Sequence, residues 1–233
     1  MCGRFTLRAS PVDLSHLFGL AEIPPTEPRY NIAPTQTVFA VRVNPAGTRE
    51  AAQLDWGLIP SWATDPKIGY KMINARSETA ADKPAFRHAF RRKRCLIATS
   101  GFYEWKKLNA KQKQPYYIHR RDDKPFAFAG LWEAWCKGEE PVESCSILTT
   151  EANDLMRPLH DRMPVILDVK DFDCWLDPAV QEPKKLEPLL VPYSGDDLNA
   201  YPISTWVNSP RNNGPQCIER IDTVDKADAQ NSN

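Results

Sequence analysis

The chain has 233 residues, of which 42% are hydrophobic and 26% charged. That bounds it to one globular domain, or two at most, with a core of ordinary size. No apolar run approaches the ~20 residues needed to span a bilayer, no secretory leader opens the chain, and the net charge is zero. A membrane span and export are therefore not expected, the default location is the cytoplasm, and whole-molecule electrostatics do not announce a nucleic-acid binder.

In chain order, Ser10-Pro11-Val12-Asp13 reads as a helix start: an N-cap, proline at the first helical position and an acid in the first turn, with the helix ending near Phe18. Residues 20–35 are rich in proline and predict an ordered surface loop. Thr37 to Val43 and Glu50 to Trp56 alternate as the two arms of a β-hairpin. A long aromatic loop follows, from Trp56 to Trp62. Lys83 to Lys93 places Ala85, Phe86, Ala89 and Phe90 at helical spacing, with arginines on the other face.

Strands are predicted at Cys95–Ala98, Phe102–Lys106, Tyr116–Arg120, Phe126–Leu131, Ser144–Thr149 and Val165–Leu167. A short helical turn falls at Asn153–Leu159, with further helices near Asp171–Leu176 and Pro183–Leu190. The polar segment 222–233 predicts a disordered tail after a domain ending at residue 221. Many short strands with interspersed helices make an α+β single domain, built on a strongly bent, mainly antiparallel and barrel-like sheet with flanking helices.

Charge and cysteine are both unevenly placed. Between Lys83 and Arg121 stand twelve basic residues and one acid, Glu104, a net +11. Such a face is compatible with a polyanion, or with a solvated helix and loops. The six cysteines at 2, 95, 136, 145, 174 and 217 form no C-x-x-C pair and stand at no metal-ligand spacing to histidine. Neither a zinc site nor a disulfide framework is expected, and no cofactor is called for. Cys95 reads as a buried strand residue.

Cys2 differs from the other five. Removal of Met1 would leave it as the N-terminus, with an α-amine of pKa about 7.7–8.0 beside a thiol of about 8.5. Such an aminothiol condenses with an aldehyde through the amine, and the thiol then closes a five-membered thiazolidine ring. Three internal segments also carry polar groups among apolar or turn residues: Ile73-Asn74-Ala75-Arg76-Ser77-Glu78-Thr79, Gly101-Phe102-Tyr103-Glu104-Trp105 and Leu159-His160-Asp161-Arg162-Met163-Pro164. Enclosed by Phe102, Tyr103 and Trp105, the Glu104 carboxyl would have its pKa raised by desolvation, which suits a general acid; alternatively it points outward on an alternating strand. His160 is suited to proton transfer or to a structural role, and Asn74 to orienting a hydroxyl or capping a turn.

In order and spacing these segments resemble the SRAP family (SOS response-associated peptidase), the abasic-site crosslinking proteins. The matching pieces are Met1-Cys2-Gly3-Arg4-Phe5, Arg29-Tyr30-Asn31-Ile32-Ala33-Pro34, Trp56-Gly57-Leu58-Ile59-Pro60-Ser61-Trp62, Asn74 to Thr79, Gly101 to Trp105 and His160 to Pro164. The resemblance implies that mature Cys2 traps the ring-opened aldehyde of an abasic site in single-stranded DNA as a thiazolidine crosslink, shielding the lesion from strand cleavage. It makes Cys2 the nucleophile and Asn74 the residue holding the N-terminus or the sugar hydroxyl. Glu104 and His160 would move protons. It implies DNA contacts from Arg4, Arg76 and Arg162 to phosphates, a hydroxyl from Thr149, and wedging or stacking by Pro34 and Trp62. It also implies a monomer with no cofactor, associated with the nucleoid in a bacterium.

Two positions depart from the family pattern. Ser100 stands where many relatives have an acid, which puts the local turn in question. Pro84 stands where some present a basic residue, with Lys83 next to it.

Two other readings compete. In a peptidase, Cys2 and His160 would form a nucleophile–base set acting on the protein's own Met1. A non-catalytic reader would recognise damaged DNA through Trp62 and the basic face. A Schiff base that fails to close would add weak strand-cutting lyase activity.

Overall fold

The computed structural model describes residues 2–222. The chain opens with β1 (Phe5–Leu7), α1 (Pro11–Phe18) and β2 (Arg29–Ile32), then the hairpin of β3 (Thr37–Val43) and β4 (Arg49–Trp56). A 3₁₀ stretch, Pro66–Lys71, leads to β5 (Asn74–Arg76) and the short helices α2 (Ser77–Ala80) and α3 (Arg87–Arg92). Longer strands follow: β6 (Arg94–Thr99), β7 (Gly101–Lys107), β8 (Lys113–Arg120), β9 (Phe126–Trp135) and β10 (Val142–Glu151). The chain continues through β11 (Arg162–Pro164), β12 (Ile166–Leu167), α4 (Phe172–Leu176), α5 (Pro183–Leu186) and β13 (Leu198–Pro202).

The fold is α+β and mainly antiparallel, as the strand pattern predicts, and the bend is realised as closure. β10 pairs with β9 on one side and, in parallel, with β4 on the other. Since β4–β3, β3–β6 and β6–β9 are also paired, five strands close into a ring. Closure removes the exposed edges that an open sheet would present. Beyond this ring β5 and β11 both pair with the C-terminal half of β10. A second sheet runs in the order β13-β8-β7-β1-β2. One large core joins the two: Phe5 of β1 meets Trp56 edge-on at 5.1 Å and Phe128 at 5.9 Å. A smaller core of Tyr103, Tyr117, Ile203, Val207 and Cys217 lies on the other face of the second sheet.

Local signals account for several elements. Ser10 and Asp13 form a reciprocal capping box on α1, with Pro11 in the first turn. Gly19 closes that helix at φ 64°, a left-handed conformation that glycine adopts without strain. The proline-rich stretch is a loop only in part: residues 29–32 form β2, because β1 offers them a ladder partner. The helix expected from Lys83 is confined to Arg87–Arg92, preceded by turns around Pro84. Asn153 to Leu159 forms a run of turns, in which Asn153 Oδ1 accepts the Met156 N–H at 2.9 Å. The Pro183–Leu190 segment is α5 followed by a 3₁₀ turn, Glu187–Leu189.

One member of the basic run is not part of a basic face. Arg94 is buried, and its guanidinium donates to the carbonyls of Trp175, Phe90, Arg91 and Asp177. Removal from water lowers its pKa to about 10. Cys95 is buried in its strand as expected. Among the described residues no helix is long and apolar enough to cross a membrane. The tail from residue 223 and the state of Met1 lie outside the described residues.

Candidate active site

Cys2 to Arg4 lead into β1, the strand held between β7 and β2. The ladder is reinforced from all sides. Tyr103 N–H donates to Arg4 O at 3.0 Å, Thr99 Oγ1 donates to Thr6 O at 3.1 Å, and Thr6 Oγ1 lies 3.0 Å from the Tyr117 hydroxyl. Ser100 Oγ accepts the N–H groups of Arg8 at 2.9 Å and Ala9 at 3.2 Å, so a hydroxyl serves this turn where an acid was the family expectation. Gly101 is required here because a Cβ at that position would lie 2.4 Å from the Tyr117 hydroxyl oxygen. The N-terminal residues are thus carried on a fixed strand.

Cys2 is buried, and three groups define its surroundings. Its thiol lies 3.8 Å from Arg4 O. Its carbonyl accepts the side-chain N–H of Asn74 at 2.7 Å. Its thiol pKa is pushed up to about 12, first by burial and then by the negative charge of Glu104. Asn74 begins β5, which lies beside β10, so this hydrogen bond ties the second sheet to the barrel. The Asn74 Oδ1 atom is shut away from solvent without a hydrogen-bond partner, an arrangement that native proteins seldom leave unexplained.

Glu104 is almost fully buried, which settles the sequence alternative in favour of an inward carboxylate. The enclosure differs from the one its sequence neighbours imply. Successive residues of a strand face opposite ways, and Tyr103 and Trp105 belong to the aromatic cluster on the far face. Phe102 shares the face of Glu104 and enters the large core. Glu104 Oε2 accepts the Trp105 N–H at 3.3 Å.

A second group gathers on β5, β10 and β11. Thr149 is flanked in register by Arg76 on one side and Pro164 on the other. The Arg162 guanidinium donates to both Glu78 oxygens, at 2.6 and 2.9 Å, and to Thr149 O at 2.6 Å. His160 stands at the head of β11, its Nδ1 3.0 Å from the Arg162 N–H and 2.7 Å from Asp161 Oδ1. Arg76, Arg157, Asp161 and Arg162 share a cleft of about 460 Å³.

Arg4 lies on the other flank, its Nη1 donating to Asn31 Oδ1 at 2.7 Å and Val207 O at 3.0 Å. Pro34 sits partly exposed in the turn after β2, beside Thr35 at φ 72°. Trp62 is 54% exposed, and its indole N–H reaches Pro84 O at 3.3 Å. Lys83 is exposed beside that proline.

The geometry therefore joins Cys2 directly to Asn74, the charge of Glu104 acts on the Cys2 thiol, and Arg76, Thr149, His160 and Arg162 group on and beside adjacent strands. Sequence reasoning gave no role to Asn31, a buried amide whose Nδ2 also lies within 3.1 Å of Val207 O, 2.9 Å of Ser209 O and 2.8 Å of Asn212 O. Nor did it give one to Glu78, the partner of Arg162. Both fall inside motifs visible in the sequence, but their partners are distant in the chain. Among the described residues no cluster of His, Cys, Asp and Glu is arranged to hold a metal ion.

Comparison with known proteins gives a consistent result. The family model for SOS response associated peptidase (SRAP) matches residues 1–210. The abasic site processing protein YoqW of Bacillus subtilis is 47% identical over 223 residues, covering 94% of this chain and 99% of that protein. The abasic site processing protein HMCES of Xenopus tropicalis is 35% identical over 197 residues, covering 74% of this chain and 58% of that longer protein. A crystal structure of a Bacteroides thetaiotaomicron protein superposes with a TM-score of 0.84 at 26% identity, covering 94% of this chain and all of that one. The chain belongs to the SOS response associated peptidase (SRAP) family.

Proposed function

We propose that the chain processes abasic sites in DNA, and that with Met1 removed it does so by covalent capture of the lesion in single-stranded DNA. The observation that carries this reading is the setting of Cys2: a residue one position from the chain start, buried, held through its carbonyl by Asn74 and facing the charge of Glu104. The names of the relatives point to the same substrate class.

The chemistry follows from the groups present. The α-amine of Cys2 adds to the C1 aldehyde of the ring-opened sugar, and loss of one water gives a Schiff base. The thiol then adds across the C=N bond; sulfur binds carbon and the thiol proton passes to nitrogen. The product is a thiazolidine, one water lighter than protein plus DNA. While Met1 is attached the thiol is pushed up to about 12 and is protonated at neutral pH. Once Met1 is removed, the free α-amine, with a reference pKa of about 7.7–8.0, attacks first, and a base takes the thiol proton during closure. Glu104 is the carboxylate whose charge acts on that thiol. His160 assists sugar opening, and Asn74 Oδ1 accepts a sugar hydroxyl. Arg4, Arg76 and Arg162 hold phosphates, with Thr149 adding a hydroxyl and Pro34 and Trp62 flanking the gap left by the missing base. For Arg162 this requires DNA to share or replace Glu78 as partner.

The raised thiol pKa speaks against a general cysteine peptidase, whose nucleophile is activated by a lowered value. Removal of the protein's own Met1 remains part of the reading, because an amide nitrogen cannot form the Schiff base. Intact mass measurement after incubation with an abasic oligonucleotide tests it. An adduct one water lighter than the sum, resistant to borohydride, is the expected result. A mass that rises on borohydride treatment would show that the reaction stops at the Schiff base.

A further inference from the structure

Next to Arg4 the surface opens into a groove of about 640 Å³, lined chiefly by Arg4, Trp105, Lys107, Lys111, Lys113 and Asn208. Its lining holds four cations and no carboxylate. Lys107 and Lys113 are direct partners in the β7–β8 ladder, a like-charge juxtaposition that destabilises a hairpin. Lys107, Lys111 and Lys113 are all exposed, and among the described residues none of the three pairs with a carboxylate.

Local hydrogen bonds shape the groove. At the hairpin tip Asn109 Oδ1 accepts the N–H groups of Lys111 at 2.9 Å and Gln112 at 3.0 Å, and Leu108 N–H donates to Gln112 O at 3.0 Å. On the floor the Trp105 indole N–H donates to Asn208 Oδ1 at 2.8 Å, and the Arg4 guanidinium lies 5.9 Å from the Trp105 ring centre. Concentrated positive charge beside an aromatic ring is what single-stranded nucleic acid requires of its site.

We propose that this groove seats the undamaged strand on one side of the abasic site, with Lys107, Lys111 and Lys113 contacting consecutive phosphates. The inference rests on the proposed function for the lesion itself and extends the footprint beyond it. The anion would relieve the Lys107–Lys113 repulsion. Because phosphates carry no base information, the contribution is independent of sequence and of damage.

The test uses the triple variant Lys107→Gln, Lys111→Gln, Lys113→Gln. Binding of an undamaged single strand of about ten nucleotides is followed by fluorescence anisotropy across a salt series. Crosslinking is followed on abasic strands with either a short or a long flank, on the 5′ or the 3′ side. The wild type should gain crosslinking rate when one of the two flanks is lengthened. The variant should match it on short flanks and lose that gain, and its plot of log affinity against log salt should be shallower by about 2, at ~0.7 per phosphate contact. An unchanged salt slope, or a flank gain retained by the variant or missing from the wild type, overturns the proposal. Failure of the wild type to crosslink any abasic strand would instead overturn the underlying reading, while the salt slope would still decide the groove. The variant's melting temperature should not fall, since the substitutions remove a repulsion.

Discussion

Asn74 donates its side-chain N–H to the carbonyl of Cys2 at 2.7 Å, joining residues 72 positions apart and tying a strand beside the barrel to the second sheet. The bonded carbonyl is attached to the Cα that carries the amine and, through Cβ, the thiol of Cys2, so the hydrogen bond anchors the carbon from which both groups project. Asn74→Ala should slow crosslinking by roughly tenfold, the equivalent of one hydrogen bond of about 1.4 kcal/mol. Asn74→Asp should be worse, because it sets a second acceptor against the Cys2 carbonyl. Single-turnover rates on an abasic strand measure both, and equal rates for Asn74→Asp and wild type would remove Asn74 from the site.

Glu104 should govern the titration of the Cys2 thiol without dominating it. Its charge is the second cause of the rise to about 12, after burial. Glu104→Gln should therefore bring the thiol pKa down while leaving it above the ordinary value of 9.0. Alkylation rate against pH reads this directly. The same variant should slow ring closure, allowing borohydride to trap more Schiff base than in the wild type.

The fold should be sensitive to alkali. Cys2, Cys95, Cys145, Tyr103 and Tyr117 are neutral when protonated, and burial raises the pKa of each in the folded state. The unfolded chain gives up these protons first, so stability is full below about pH 9 and is lost as pH rises above it. For Cys2 the window runs from 9.0 to about 12, and over it the loss is on the order of a few kcal/mol. Denaturant unfolding at about pH 8 and near pH 10.5, about two units above the thiol reference, should show a lower midpoint at the higher pH.

Within the basic run, Arg94 and Arg91 should separate sharply. Arg94 is buried and satisfies four backbone carbonyls, and Arg94→Ala should cost roughly 2–4 kcal/mol by leaving them unpaired. Arg91 is exposed, and Arg91→Ala should change stability by no more than about 0.5 kcal/mol. Thermal or urea unfolding of the two variants checks this.

Legibility in the sequence tracked how local the deciding interaction was. The α1 cap, the β3–β4 hairpin and strands β6 to β10 rest on neighbouring residues or strong alternation, and all are readable. β1, β2, β5 and β13 are short and take their form from ladder partners far along the chain. The parallel contact of β10 with β4, which closes the barrel, leaves no local signal. At the site the same division holds. Cys2 is informative through its position and Glu104 through its apolar neighbours, although Tyr103 and Trp105 prove to face away from it. Asn31, Glu78 and the Lys107–Lys113 pairing needed the register and the packing.

The central claim is that Cys2 bonds covalently to an abasic site, and a denaturing gel tests it most directly. Protein whose mass shows Met1 removed is incubated with a single strand containing one abasic site, beside an intact strand and the Cys2→Ala variant. The account predicts a band that survives denaturation, requires the lesion and is lost in Cys2→Ala, with Cys2→Ser shifting the outcome toward strand cleavage. No such band from the wild type, or an equal band from Cys2→Ala, would contradict it.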